Sequence, residues 1–196
     1  DPLPYFEPKR QEPIGPLRPE ERLASDLAPP FNSQGLDLLE VSLGYNEFGE
    51  QELFLKVFNN SYRLQRVFRE RIACLLANLV PLNIRNVQVT LESEGFPVQQ
   101  YLFPMPAVRE YAEKRMSLYQ LTLLSPEREV TFPAPCERLV LFSQPRPLYN
   151  FYLEPNTHTL FGSAKGKFKY AVGLHAGVDG FLPDNIYYSA LFGYNL

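Results

Sequence analysis

Tryptophan is absent, and cysteine, histidine and methionine occur only twice each in the 196 residues. Two cysteines, Cys74 and Cys136, and two histidines, His158 and His175, stand far apart without ligand spacing, which argues against a metal site. A disulfide between the cysteines stays open in an oxidising compartment, although Cys74 sits near the apolar face of an expected helix, where cysteine serves as a small core residue. No apolar run approaches ~18 residues, so no transmembrane helix is expected; a barrel strand escapes that test. An excess of either charge is also lacking. A net charge of -3 with 21% charged residues excludes a basic nucleic-acid binder, and 45% apolar residues exclude a disordered tail. No nucleotide-binding glycine loop precedes a helix, and GSAKG at residues 162–166 lies between expected strands. No cofactor is expected.

What is present is proline, 19 in all, with 12 tyrosines and 15 phenylalanines, a balance that favours strands and ordered loops over helical bundles. The clearest pattern occupies residues 54–100. Residues 54–58 alternate as a strand, Asn59, Asn60 and Ser61 supply a cap, and helical spacing begins at Tyr62. Leu64, Val67, Phe68, Ile72, Leu75, Leu76 and Leu79 share one face over about five turns. Pro81 ends that helix, because proline disfavours a helical conformation at the residue before it. Ile84, Val87, Val89 and Leu91 then alternate, Gly95, Phe96 and Pro97 turn the chain, and residues 98–103 return as a further strand. Asn59, Asn60 and Ser61 also match a glycosylation acceptor, but capping is the better use of them.

Around this centre, residues 1–34 read as a proline-rich arm or linker with one short helix at 19–27, and 35–125 as an α+β module. Leu39, Val41, Leu43 and Tyr45, with Asp37, fall on one face of a first strand; Leu36, Leu38, Glu40 and Ser42 fall on the other. The next strand, at 53–58, should run antiparallel to it. Residues 106–116 suit a second helix, with Val108, Tyr111, Ala112 and Arg115 on one face, and 118–124 suit a strand. The fold class expected is α+β, a small mixed sheet with two helices, followed by antiparallel strands of an outer-membrane β-barrel. Residues 126–147 read as a connection carrying one apolar strand at 138–142.

Residues 148–196 read as the start of that barrel. Phe168, Tyr170, Val172, Leu174, Ala176 and Val178 alternate with Lys167, Lys169, Ala171, Gly173, His175 and Gly177. After a turn ending near Pro183, Asp184 and Asn185, the same pattern resumes to Leu196. Strands of ten or more residues suit a bilayer, and Tyr170, Phe181, Tyr187, Tyr188 and Tyr194 suit aromatic girdles. A soluble sandwich hairpin also alternates. A closed barrel needs ~8 strands, so the expectation is a segment of a longer polypeptide or a chain completed by another.

Asn60, Tyr62 and Arg63 ahead of an amphipathic helix, then Pro81 and a strand ending at Gly95, resemble the YjbH-like family of outer-membrane proteins of exopolysaccharide or capsule secretion. The resemblance implies α+β modules beside β-barrels.

For binding, Arg63, Arg66 and Arg69 form a stripe with Arg71 to one side, able to pair with an acidic polysaccharide or a partner's carboxylates. A solvated helix face offset by Glu70 is the plainer alternative. Lys165, Lys167, Lys169 and His175 form a second row that would govern passage if it faced a barrel interior. For catalysis, Glu92 and Glu94 are the best carboxylate pair, but they adjoin a turn where solvated charge is ordinary, and Ser61, Ser163 and Ser189 lack a nucleophile setting. The expectation is therefore a non-catalytic secretion segment. Its partners would be an anionic or neutral exopolysaccharide, other secretion proteins or remaining segments of the same barrel, and outer-membrane lipid. Its place would be the bacterial outer membrane with a periplasmic module. A soluble periplasmic glycan- or protein-binding assembly module is the alternative, and a glycan-modifying enzyme a weaker third.

Overall fold

The computed structural model describes residues 12–15, 18–45, 48–93, 95–130, 138–145, 148–160, 169–182 and 186–195. The chain divides into two units, Asp1–Gln144 and Pro145–Leu196. Its class is mixed α+β, with four helices and two sheets among the described residues, and neither sheet closes into a barrel.

Unit 1 runs α1 (Glu20–Ser33), β1 (Leu36–Tyr45), β2 (Gln51–Asn59), α2 (Gln65–Leu79), β3 (Asn86–Ser93), β4 (Phe96–Pro104), α3 (Met105–Ala112), α4 (Leu118–Leu124), β5 (Glu127–Arg128) and β6 (Arg138–Ser143). The six strands lie in the order β5-β4-β3-β2-β1-β6. Only β2 and β3 are parallel, and α2 is the crossover that a parallel pair requires. β1 and β2 pair antiparallel, as their alternation suggests. The sheet is thus larger than the sequence indicates, and unit 1 carries four helices where three are legible, one of them in the arm.

Three local readings are corrected. Residues 118–124 form a helix, not a strand. Ser117 Oγ accepts from the Gln120 backbone N–H while the Gln120 side chain accepts from the Ser117 N–H, a reciprocal cap that overrides the ambiguous alternation of a short leucine-rich run. In β1 a bulge between Leu38 and Glu40 breaks the period of two. Leu36 and Leu38 therefore join Val41 and Leu43 in the core, and the two-face assignment fails at Leu39. Finally, α2 starts at Gln65 rather than Tyr62, and Leu64, expected on its apolar face, is 68% exposed. The Asn59 side chain does not cap it. Its Oδ1 accepts from the Ser61 and Tyr62 N–H groups and its Nδ2 donates to the Tyr62 carbonyl, which ties off the loop instead.

The core lies on one face of the sheet. Leu53, Leu55 and Val57 of β2, Val87 and Val89 of β3, and Tyr101 and Phe103 of β4 meet Phe68, Ile72, Leu75, Leu76 and Leu79 of α2. Leu23, Leu27 and Phe31 of α1 complete this core, so the helix expected at 19–27 continues through Pro29 and Pro30. Arg18, 3% exposed, donates to Asp26 and to the Leu79 carbonyl at the C-terminal end of α2, where a cation complements the helix dipole. On the other face polar side chains pair across strands. Glu40 meets Lys56 at 2.6 Å and Arg138 at 3.4 Å, Glu52 accepts from Asn86 and Gln88, and Gln100 donates to Thr90.

Unit 2 is an antiparallel meander of β7 (Asn150–Leu160), β8 (Lys169–Phe181) and β9 (Tyr187–Asn195). The strand β8 continues through Asp179 and Gly180 to Phe181, past the turn expected there. β7, with Pro155 inside it, is an edge strand, where a missing N–H is tolerated.

Candidate functional site

The arginine stripe is divided by its surroundings. Arg63 and Arg66 are exposed and make no ion pair among the described residues. Arg69 is 8% exposed: it donates to the Ser125 carbonyl, and its guanidinium lies 4.8 Å from the Tyr101 ring centroid. Burial pushes Arg69 below the usual arginine pKa, while Tyr101 and Glu127 pull it back up. Its Nε is buried without a hydrogen-bond partner. Arg69 thus anchors α2 to the segment after α4.

Two clefts flank this point, and Gln65 lines both. One, about 330 Å³, is lined by Gln65, Arg66, Arg69, Leu118, Tyr119 and Thr122; the other, about 360 Å³, by Asn59, Tyr62, Arg63, Gln65, Phe68, Leu91, Gln99 and Tyr101. Between them runs a hydrogen-bond network. Gln65 Nε2 donates to Tyr101 Oη at 2.6 Å and to Glu127 at 3.2 Å, Tyr101 donates to Gln99 at 3.0 Å, and Gln99 donates to Glu127 at 3.2 Å. Burial raises the Tyr101 pKa, Gln65 and Arg69 lower it and Glu127 raises it, so the phenol stays protonated and able to donate. Chemically, the clefts offer guanidinium and amide donors beside exposed tyrosine, a set that suits hydroxylated and anionic ligands.

Gln65, Gln99, Tyr101, Tyr119 and Glu127 were not singled out from sequence. Gln65 sits inside the arginine stripe, so that stripe was a usable signal for it. Tyr101 reads as an ordinary inward strand residue, and Tyr119 falls in a run whose alternation reads as a strand.

In unit 2, Lys165 and Lys167 lie outside the described residues, and Lys169 belongs to β8 without a described side chain. His175 is half-buried, with Nε2 2.9 Å from Asn156 Nδ2, and stands opposite Glu154 across β7 and β8. Tyr152, Glu154, Asn156, Gly173, Gly177, Asp179, Ser189 and Gly193 share its face by register, as do the apolar Phe181, Tyr187 and Leu191. Gly177 and Gly193 leave room on that face, since an added Cβ would collide with the Tyr152 ring at one and crowd the His175 ring at the other. The opposite face carries Phe151, Leu153, Tyr170, Val172, Leu174, Phe192 and Tyr194, all exposed.

Of the carboxylates considered for catalysis, Glu92 is buried at 6% exposure and Glu94 lies outside the described residues, as does Cys136. Cys74 is a free thiol whose pKa is raised chiefly by burial. Among the described residues no cluster of three or more histidine, cysteine, aspartate or glutamate side chains is placed to hold a metal ion. No described helix is long and apolar enough to cross a membrane, which leaves strands untested.

Comparison with known proteins agrees with the motif around α2. No curated protein and no solved structure matches the chain significantly. A family model described as exopolysaccharide biosynthesis protein YbjH matches residues 2–196, far beyond the stretch that carries the resemblance. The chain therefore belongs to the YjbH family, which implies a role in exopolysaccharide biosynthesis or export.

Proposed function

We propose that this chain is a non-catalytic part of an outer-membrane protein that assists exopolysaccharide or capsule secretion, with unit 1 periplasmic and unit 2 a section of barrel wall. The observation that carries this reading is the two-sidedness of unit 2. One face carries a broad apolar surface in which Phe151 is 68% and Phe192 70% exposed; the other is mainly polar and glycine-rich, with Leu191 and the Phe181–Tyr187 ring pair as its apolar members. A lipid-facing wall with a wet lumen has this division. From Tyr170 to Gly180, the partner of Tyr188, β8 advances ten residues. At ~3.3 Å per residue and a ~45° tilt that corresponds to a band ~23 Å high, close to the ~25 Å apolar band of such barrels. Tyr170 marks one end of the band and Tyr188, the partner of Gly180, marks the other, with the Phe181–Tyr187 ring pair beside it on the opposite face.

Three strands are fewer than the ~8 of the smallest closed barrels, so further segments of the same polypeptide or other secretion proteins complete the wall, with outer-membrane lipid against it. A glycan strand passing inside would meet Tyr152, Glu154, Asn156 and His175, a hydrogen-bonding and aromatic surface. The test is membrane fractionation of the native full-length product, with gel mobility compared before and after boiling. Retention in the outer membrane with a heat-dependent mobility is expected. Release as a soluble protein of unchanged mobility would instead place unit 2 in a soluble sheet and favour a periplasmic glycan- or protein-binding module.

A further inference from the structure

We infer that the paired clefts at the start of α2 form a binding site for an acidic glycan, with a uronate carboxylate held between Arg66 and Arg63 and a sugar ring against Tyr119. This deepens the secretion reading above and rests on it for the glycan class. Four independent features of the same surface point to an anion. The first turn of α2 has no side-chain cap and no acidic residue, so its N–H groups and the positive end of its dipole face outward. Arg63 and Arg66 have no ion-pair partner among the described residues, one on each cleft. Arg69 lies nine-tenths buried in the Tyr119 cleft with an Nε–H that has no acceptor. Among the described residues no carboxylate lines either cleft. Glu127 stands beside this surface, hydrogen-bonded by Gln65 and Gln99, and the Arg69 guanidinium offsets part of its charge.

A glycan fits better than an acidic peptide. Tyr119 is 72% exposed beside the cationic cleft, giving a flat apolar surface for a sugar face. Gln65, Gln99 and Asn59 border the second cleft; the Gln65 Nε2 hydrogens and the Asn59 amide are engaged within the protein, which leaves the Gln65 and Gln99 amide oxygens to accept from ring hydroxyls. Guanidinium pairs a carboxylate through two parallel N–H···O bonds, which sets a uronate apart from a neutral hexose.

The experiment measures binding of the full chain, in detergent if it fractionates with membrane, to a purified hexameric oligogalacturonate by calorimetry. Maltohexaose serves as the neutral probe and hexaglutamate as the acidic peptide. Binding of oligogalacturonate at least tenfold tighter than either is expected. Arg66→Gln should weaken it about tenfold and Arg63→Gln/Arg66→Gln beyond detection, whereas Arg22→Gln, an exposed arginine of α1, should leave it unchanged. Tyr119→Ala should weaken oligogalacturonate binding several-fold with no change for hexaglutamate. Thermal melting of each variant confirms folding, and Arg69 is left intact because it holds α2 to Ser125. Equal binding of hexaglutamate, or an unchanged affinity in the Arg63→Gln/Arg66→Gln variant, overturns the site. Failure of the secretion reading is distinct: the protein would then be soluble whether or not it bound oligogalacturonate.

Discussion

Leu53, Leu55 and Val57 in unit 1 and Phe151, Leu153, Leu174 and Phe192 in unit 2 all occupy alternating strand positions, yet the first set is buried under helices and the second is exposed. Unit 1 gives its sheet an apolar partner from its own chain, since α1, α2 and α3 bring Phe31, Leu76 and Val108 onto it. Unit 2 has a sheet and, among its described residues, no second layer. Burial contributes ~25 cal/mol per Å² of apolar surface, so a three-stranded sheet with an uncovered apolar face lacks the term that stabilises unit 1. The comparison teaches that identical local alternation can specify a core or a surface awaiting its solvent, and only the presence of a covering layer separates them.

Cutting the chain after Gln144 tests that contrast most severely. Residues 1–144 are expected to retain one cooperative thermal transition in water, while residues 145–196 alone aggregate in buffer and gain strand circular dichroism only in detergent or lipid. A folded monomer of 145–196 in buffer would break the comparison.

Next in size, Phe68→Ala in the core of unit 1 should cost about 3–5 kcal/mol in a denaturant titration. Leu174→Arg in unit 2 should cost about 2–4 kcal/mol of membrane insertion if that face meets lipid near the midplane, and within about 0.5 kcal/mol if it meets water. Gly35→Ala follows. Gly35 has φ +73°, and an added Cβ would collide with the Ser61 hydroxyl, so the loss should be about 1–3 kcal/mol in unit 1 with no change in membrane retention. Ser117→Ala removes the reciprocal cap of α4 and should lower unit 1 stability by about 1 kcal/mol.

The smallest effect concerns alkaline pH. Burial, then Glu70 and Cys74, push the Tyr111 phenol from 10.0 up to about 12. A raised pKa means the folded state favours the protonated phenol. Its stabilisation is therefore complete below pH 10 and is lost as pH rises towards 12. Tyr111→Phe should flatten that part of the stability profile, read as melting temperature across the same window. Because the side chain is only partly buried, solvent screening makes the change small.

Much of the centre was legible. The strand, helix, strand and hairpin over residues 54–103 follow from hydrophobic period and from Pro81, because these signals are local and the resulting faces pack on one another directly. The candidate site was legible in part. Arg63 and Arg66 stand out as cations three residues apart at the start of α2, but nothing in their spacing tells that Arg69, three residues further on, is buried against Tyr101 and Ser125.

The amino-acid sequence by itself determined the α+β character, the family through Asn60, Tyr62, Arg63, Pro81 and Gly95, and the long alternating strands of unit 2. Each of these rests on neighbours a few residues apart. The tertiary structure decided the bulge at Leu39, the place of β6 at the sheet edge and the meeting of Gln65, Gln99, Tyr101 and Glu127. Those outcomes depend on residues tens of positions apart competing for the same space and the same hydrogen bonds, and no local period records which of them wins.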